Sequence, residues 1–498
     1  MFLVIFSSLI ASLIFLYYYL TWNFDYWRKR DVLGPNPKPF LGTFPKSAIY
    51  LQNFLYEQDD IYRKYRGKTP FVGVFTYRLP ELLILDNTLV SQILVGKFKH
   101  FHINYTNYNK ENARLFSRNP FILRDEEWKD NRMDISPAFT TMKTKLTYPV
   151  VNEMCKRLTG FIKSEIASGK PIMDTKEITA KFTADVISTV CYGLEANAIA
   201  DDNSEFLQVS HKLFKPSYWK LWFITFKSVF PYLFKNYEMP FVTAEIEKYF
   251  INLTNEAIQL RQQLATKPDD YLNFLLKLKE KRNYGNVDVA ANTITFFLDA
   301  YETSSIVLTH ALYRLAKNPQ CQIKLRQEIQ ECNGNIDFEV ISNLKYLDHV
   351  FNETLRISPP GFTITKVCTE PIELENYNGK PLLIEKGTVV QIPIYSIHND
   401  PELFPNPHIF DPDRFDGVDL KALRDEGKFF PFGHGPRICL GMRFSTFTIK
   451  AAIAEIVSNL EITINPRTKE PIIIRPEDFL YLHVHDIFLD YKLITKSE

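Results

Sequence analysis

The segment Phe429-Phe430-Pro431-Phe432-Gly433-His434-Gly435-Pro436-Arg437-Ile438-Cys439-Leu440-Gly441 carries the clearest chemistry in the chain. A lone cysteine is usually inert core packing. Cys439 instead sits in a Gly/Pro-rich loop, just before an apolar run that starts near Met442. The glycines let backbone pass close to a bulky partner. Loop N–H groups can point at the sulfur, and the N-terminus of a following helix favours negative charge. A thiolate held in this way suits a metal better than it suits a nucleophile that needs a base. Arg437, two residues before the cysteine, offers a cation to a carboxylate on the same partner. A cysteine hydrolase built on Cys439 and His434 fares badly, because the spacing does not itself pair them and no orienting Asn or Asp is evident.

A second unusual feature is the apolar stretch from Asn292 to Leu315, which holds Asp299, Glu302, Thr303, Ser304 and Ser305 near its middle. Polar residues in a buried helix must find partners or face a wet cavity. Asp299, Glu302 and Thr303 stand at i, i+3 and i+4, so they share one helix face. The face they share is either a functional wet cavity or a solvated notch.

These residues need a scaffold, and the composition supplies one. The 498 residues are 45% hydrophobic with a net charge of +1, which excludes a disordered chain. A near-neutral balance argues against nucleic acid as the main partner. Six cysteines without a CxxC pair are too few for a disulfide framework and unsuited to a zinc ribbon. Periodicity predicts helices over 150–167, 174–193 and 245–264, with Asp174 and Glu177 as a start signal for the second. Short strands are expected at 73–75 and 80–85.

The N-terminus adds a membrane signal. Phe2 to Leu20 carries no charge and is long enough to span a hydrocarbon core. It ends in tyrosines rather than small residues, and Arg28-Lys29-Arg30 follows, so a retained anchor with a cytosolic body is expected. The expected organisation is an anchor at 1–21, a basic, proline-rich, semi-rigid hinge at 22–43 and one catalytic unit at 44–498. Ser217 to Phe234 is dense in aromatics, and reads either as core helix or as a loop dipping into the anchor's membrane face.

The cysteine segment, read F-x-x-G-x-R-x-C-x-G through Phe432, Gly435, Arg437, Cys439 and Gly441, resembles the haem-binding loop of the cytochrome P450 superfamily. Other segments resemble that family's signatures in the same order: Trp128 with Arg132, Ala300 to Ser304, Glu353 with Arg356, and Pro412 to Phe415. The resemblance is to microsomal members, most like the insect detoxification-type group related to vertebrate drug-metabolising members. It implies a mainly α fold, a large helical bundle around haem b with small β-sheets. It implies an axial thiolate from Cys439 and cofactor contacts from Trp128, Arg132, Ala300, Lys366, Phe432, Arg437 and Gly441. The segment 101–121, Phe296, Phe297, Asp299, Phe362 with the segment 363–365, and the segment 479–482 would line a substrate pocket. The resemblance also implies that Glu302 and Thr303 hold water and relay protons, with Thr303 the stronger choice and a helix-surface carboxylate the other reading of Glu302. Glu353 and Arg356 can pair at i, i+3, and Arg414 would complete a structural network. The implied activity is monooxygenation of a lipophilic small molecule in xenobiotic or hormone metabolism. Electrons would come from NADPH through NADPH-cytochrome P450 reductase, with cytochrome b5 as a second partner, at the endoplasmic reticulum membrane. Basic Lys129, Lys428 and Arg443 are candidates for the docking face. The alternatives are a haem-thiolate isomerase or dehydratase that needs no reductase, and a non-catalytic haem protein.

Two positions depart from the family pattern. Asp299-Ala300 replaces a usual Ala-Gly, and a buried carboxylate is expensive. Asp299 therefore either pairs with a nearby Lys or Arg or bonds within the helix, recognises a basic or hydroxylated substrate, or esterifies a haem methyl. Lys366 replaces a usual Arg, keeping the charge but losing the bidentate fork.

Overall fold

The computed structural model describes residues 1–498 apart from 107–113, 117, 216, 235–236, 238–239, 241, 266–267, 333–335, 479–481, 485 and 495–498. Its axis is the helix Asn286–Lys317, whose 32 residues are buried along most of their length. Gly285 N–H donates to Asp288 Oδ2 at 2.9 Å, closing its first turn. Helices Thr175–Ile187, Ala244–Gln263, Lys345–Ile357 and Met442–Asn459 pack around it. The helix at 175 starts where its sequence signal placed it: Asp174 accepts from the N–H groups of Lys176 and Glu177. It runs into a π turn over Ser188–Tyr192 and stops at Gly193, which is left-handed. The helix expected from 150 begins earlier, at Thr141, and continues through Pro149.

The sheets are small. A five-stranded sheet runs in the order Phe71–Thr76, Leu79–Ile84, Val389–Ile392, Ile364–Val367, Ile103–Asn104. All its neighbours are antiparallel except Leu79–Ile84 with Val389–Ile392. A three-stranded sheet joins Ile172–Asp174, Phe488–Leu493 and Leu460–Ile464. A mainly helical bundle with small sheets is the architecture expected from the sequence.

Phe2–Thr21 is one helix of 20 residues with mean hydropathy 2.1 and no buried residue. At 1.5 Å per residue it is about 30 Å long, one hydrocarbon thickness. Its last turn is fixed to the body. Tyr19 donates its hydroxyl to Val229 O at 3.0 Å and stacks on Phe230 at 5.5 Å between centroids. The Arg78 guanidinium lies 3.7 Å above the same ring.

The aromatic segment expected as core or membrane loop contains the helix Tyr218–Val229, beside that contact. It buries Phe223, Thr225 and Val229, and exposes Tyr218, Trp219, Ile224 and Phe226, with Tyr232 and Leu233 beyond. It is thus core on one face and an uncovered apolar surface on the other.

Part of the segment 22–43 packs on the sheet. Trp27 and Val32 are buried, and Trp27 Nε1 donates to Val74 O at 3.1 Å. Gly73 N donates to Leu33 O, and a Cβ on Gly73 would meet Trp27 Cγ at 2.2 Å. Glycine there admits the indole against the strand, so the segment is stitched to the sheet. Proline content alone could not reveal this, because the burial of Trp27 depends on a residue 46 positions away.

Candidate active site

Cys439 follows the short turn Gly435–Arg437, and its N–H donates to Phe432 O at 2.8 Å. The loop is pinned from outside: Gly435 is left-handed, and a Cβ there would meet Leu94 O at 2.2 Å. The N–H groups of Gly441 and Met442 reach the sulfur, as the loop–helix junction led one to expect. Burial nevertheless pushes the thiol up to about 11, with Asp299 adding in the same direction.

Cys439 and Asp299 share an informative combination. Each has exposed surface, yet each is strongly desolvated by the protein around it. Together these observations put both on the wall of an internal void. Thr303 is half-buried one turn after Asp299 and donates Oγ1 to Asp299 O at 2.6 Å. Ala300 and Phe432 are also half-buried.

Three cations stand near the cysteine loop. Arg437 donates to the carbonyls of His102, Pro120 and Leu123 at 2.5, 2.7 and 3.0 Å, and its guanidinium lies 4.1 Å above the Trp128 ring. Arg132 donates to Ile438 O at 2.7 Å. Lys366 is buried and donates to the Asn104 side-chain oxygen at 2.7 Å. Burial, then the charge of Arg437, pulls the Lys366 ammonium down to about 7. Burial, then Arg132, draws Arg437 down to about 10. Arg132 thus lowers Arg437 and Arg437 lowers Lys366, with Asp125 offsetting this only in part at Arg437, so a further anion would be welcome among them.

Residues 32–488 match the family model described as Cytochrome P450. The chain belongs to the cytochrome P450 family. It is 39% identical over 474 residues to "Probable cytochrome P450 28a5" of Drosophila melanogaster, covering 93% of this chain and 94% of that one. It is 31% identical over 499 residues to "Cytochrome P450 6A1" of Musca domestica, covering 96% of each. As a P450 monooxygenase it acts with a haem ligated by a cysteine thiolate.

The residues present fit that group. Among the described residues no three His, Cys, Asp or Glu side chains cluster as a metal site. A single thiolate therefore suits an iron that brings its own ring nitrogens. Arg132, Arg437 and Lys366 suit the two carboxylates of the macrocycle. When bound, the group supplies the capacity to activate dioxygen, which no side chain has.

The E-x-x-R pair lies outside the void. Glu353 accepts from Arg356 Nε and Nη2 at 2.7 and 2.8 Å, from Arg414 Nε at 3.1 Å, and from Asp411 N at 3.0 Å. Arg356 also donates from Nη1 to His398 O and from Nη2 to Pro407 O. The cluster fixes the segment 405–414 against the helix Lys345–Ile357.

Four expected site residues are placed elsewhere. Glu302 is fully enclosed, with Lys176 Nζ at 2.7 Å and His483 Nε2 at 2.5 Å from Oε1. His483 Nδ1 in turn meets Asp478 at 2.7 Å. On the helix, Thr303 lies about 40° around from Asp299, and Glu302 about 60° to the other flank. The i, i+3 relation left open which flank met the void, and the flank holding Glu302 meets Lys176 instead. Phe297 packs on Phe206, Phe250 and Tyr301, and Phe296 on Phe139, Tyr271 and Phe444. Phe362 has no exposed surface, unlike the residues on the void wall. These three phenylalanines are core, because aromatic residues beside a cavity also serve the packing behind it. In the expected pocket segments 101–121 and 479–482, residues 107–113, 117 and 479–481 lie outside the described residues.

Sequence reasoning missed Lys176, His483 and Asp478 around Glu302, and Asn104 and Asn119 near the void. No spacing rule links these to their partners, which come from distant segments.

Proposed function

We propose that this enzyme inserts one atom of dioxygen into a lipophilic small molecule, with electrons from NADPH delivered by a reductase flavoprotein. The observation that carries the reading is Cys439 on the void wall, close enough to Asp299 to feel its charge, with Arg132, Arg437 and Lys366 grouped beside the cysteine loop. In this reading Cys439 is the iron ligand, its N–H partners at Gly441 and Met442 stabilising the thiolate. Trp128 supports Arg437 through ring contact, and Arg132, Arg437 and Lys366 hold the carboxylates. Thr303 is the catalytic hydroxyl: its proton is given to Asp299 O, which leaves its lone pairs to hold water in the void. Ala300 shapes the wall between them. Glu353, Arg356 and Arg414 form the structural network.

An exposed apolar helix leading into the body supports an anchor at 1–21 in the endoplasmic reticulum membrane, with the basic cluster and the body 44–498 on the cytosolic side. The exposed face of Tyr218–Val229 adjoins that anchor and suits the same interface. Lys129 and Lys428 are paired locally with Glu126 and Glu426, while Arg443 is exposed for docking a partner. Cytochrome b5 is a second candidate donor.

The reduced, carbon-monoxide-bound spectrum tests the ligand: a Soret band of thiolate-ligated haem is expected, and its absence in folded protein overturns the reading. NADPH consumption with added reductase tests the electron source. Rearrangement of a hydroperoxide without reductase, together with no NADPH-dependent turnover when reductase is added, would favour an isomerase or dehydratase.

A further inference from the structure

We propose that Asp299 is a recognition point for a cationic group, a protonated or quaternary amine, on an otherwise apolar substrate. This rests on the monooxygenase reading above and names the substrate class of that same site. Asp299 lies in the middle of the central helix, between the buried residues Leu298 and Tyr301, yet its own side chain opens onto the void.

The expected neutralising partner is missing among the described residues. The influences on its carboxyl are desolvation and one hydrogen bond, from Asn119 Nδ2 to Oδ1 at 3.4 Å. Arg132, Arg437 and Lys366 bond elsewhere, to carbonyls and to Asn104. Thr303 gives its proton to the Asp299 carbonyl and not to its carboxylate. The groups that feel the charge of Asp299, Cys439 and Tyr271, are themselves acids and cannot offset it.

The carboxylate is also oriented. Asn119 Oδ1 accepts from Phe121 N at 2.8 Å, which turns Nδ2 toward Asp299. Arg437 clamps the same segment through Pro120 O and Leu123 O. One carboxylate oxygen is thus steadied while the other lacks a described partner. A neutral lipophile filling the void would strip the remaining water from this group, at a cost. An ammonium brought by the substrate removes that cost, and in a low-dielectric cavity the pairing is strong. Selectivity for cation over isostere of about ten-fold or more is expected from a buried charge pair.

The test uses the haem-loaded protein, titrated optically and by equilibrium dialysis. The probes are phenylbutyltrimethylammonium, whose nitrogen cannot ligate iron, and the neutral hydrocarbon in which carbon replaces that nitrogen. The wild type is expected to favour the cation, and Asp299→Asn to reduce the preference about ten-fold without weakening the hydrocarbon. A ratio unchanged within about two-fold in Asp299→Asn overturns the proposal. Should that variant not fold, equal affinities in the wild type overturn it. Failure of the thiolate Soret band would instead overturn the monooxygenase reading, so the two failures are distinguishable.

Discussion

His483 Nε2 lies 2.5 Å from Glu302 Oε1, joining the central helix to the C-terminal segment through a buried ion pair. Lys176 completes it from a third element. Burial alone would raise the Glu302 carboxyl, but Lys176 and then His483 outweigh it and hold it at about 2. Burial also opposes the His483 charge, and Asp478 and Glu302 overcome it to raise the imidazole above 6.5.

The signs give a pH window. Glu302, depressed in the fold, contributes stability that is complete above its ordinary value of 4.5 and lost as pH falls toward about 2. His483, raised in the fold, contributes stability that is complete below 6.5 and lost as pH rises through its folded value. The destabilisation caused by Glu302→Gln is therefore expected to peak between about pH 5 and 6.5, at about 3–5 kcal/mol, and to shrink at both extremes. Urea unfolding of wild type and variant across pH in detergent measures it. A difference that stays flat with pH contradicts the assignment.

Glu353 holds two arginines and a backbone N–H with no exposed surface of its own. Glu353→Ala leaves Arg356 buried without its anion, and about 3–5 kcal/mol of stability is expected to go. Arg414→Ala should cost less, about 1–3 kcal/mol, because Arg414 reaches solvent. Chemical denaturation of both variants checks the order.

Lys366 sits buried beside Arg437. Its folded value near 7 lies below the ordinary 10.5, so the unfolded chain binds the extra proton. The haem-free protein is expected to lose stability as pH falls from about 10 to 7, and the haem-loaded protein to lose less. Lys366→Met should speed haem transfer to an acceptor several-fold, while Lys366→Arg should slow it by restoring a fork. Equal transfer rates for all three proteins would remove Lys366 from the cofactor contacts.

Two surfaces serve one membrane in the proposed arrangement. Deleting residues 2–21 is expected to leave part of the protein on anionic or neutral vesicles. Adding Trp219→Glu and Phe226→Glu to the deletion should release it by about ten-fold or more. Vesicle sedimentation reads the fraction bound. A deletion that alone abolishes binding contradicts a role for the helix Tyr218–Val229.

Much of this molecule is legible along the chain because its signals are local. Asp174 caps its helix from two and three residues away, and the Cys439 loop is written in adjacent glycines and prolines. The fate of Glu302 was not legible, since neighbouring flanks of one helix can meet different surroundings. Lys176, His483 and Asp478 come from segments far apart in sequence, and only packing joins them. Phe296, Phe297 and Phe362 were ambiguous for a related reason, since an aromatic ring fits a core as well as a pocket. Trp27 made a proline-rich stretch part of the sheet by filling the space over Gly73.

The joint between Tyr19, Phe230 and Arg78, together with the buried Trp27, leaves almost no slack between the apolar helix and the body. In a bilayer the two would turn and tilt as one piece, so the Cys439 face would be presented at a steady height above the lipid. A donor protein confined to that surface would then search in two dimensions rather than three, and its collisions would already be levelled with their target.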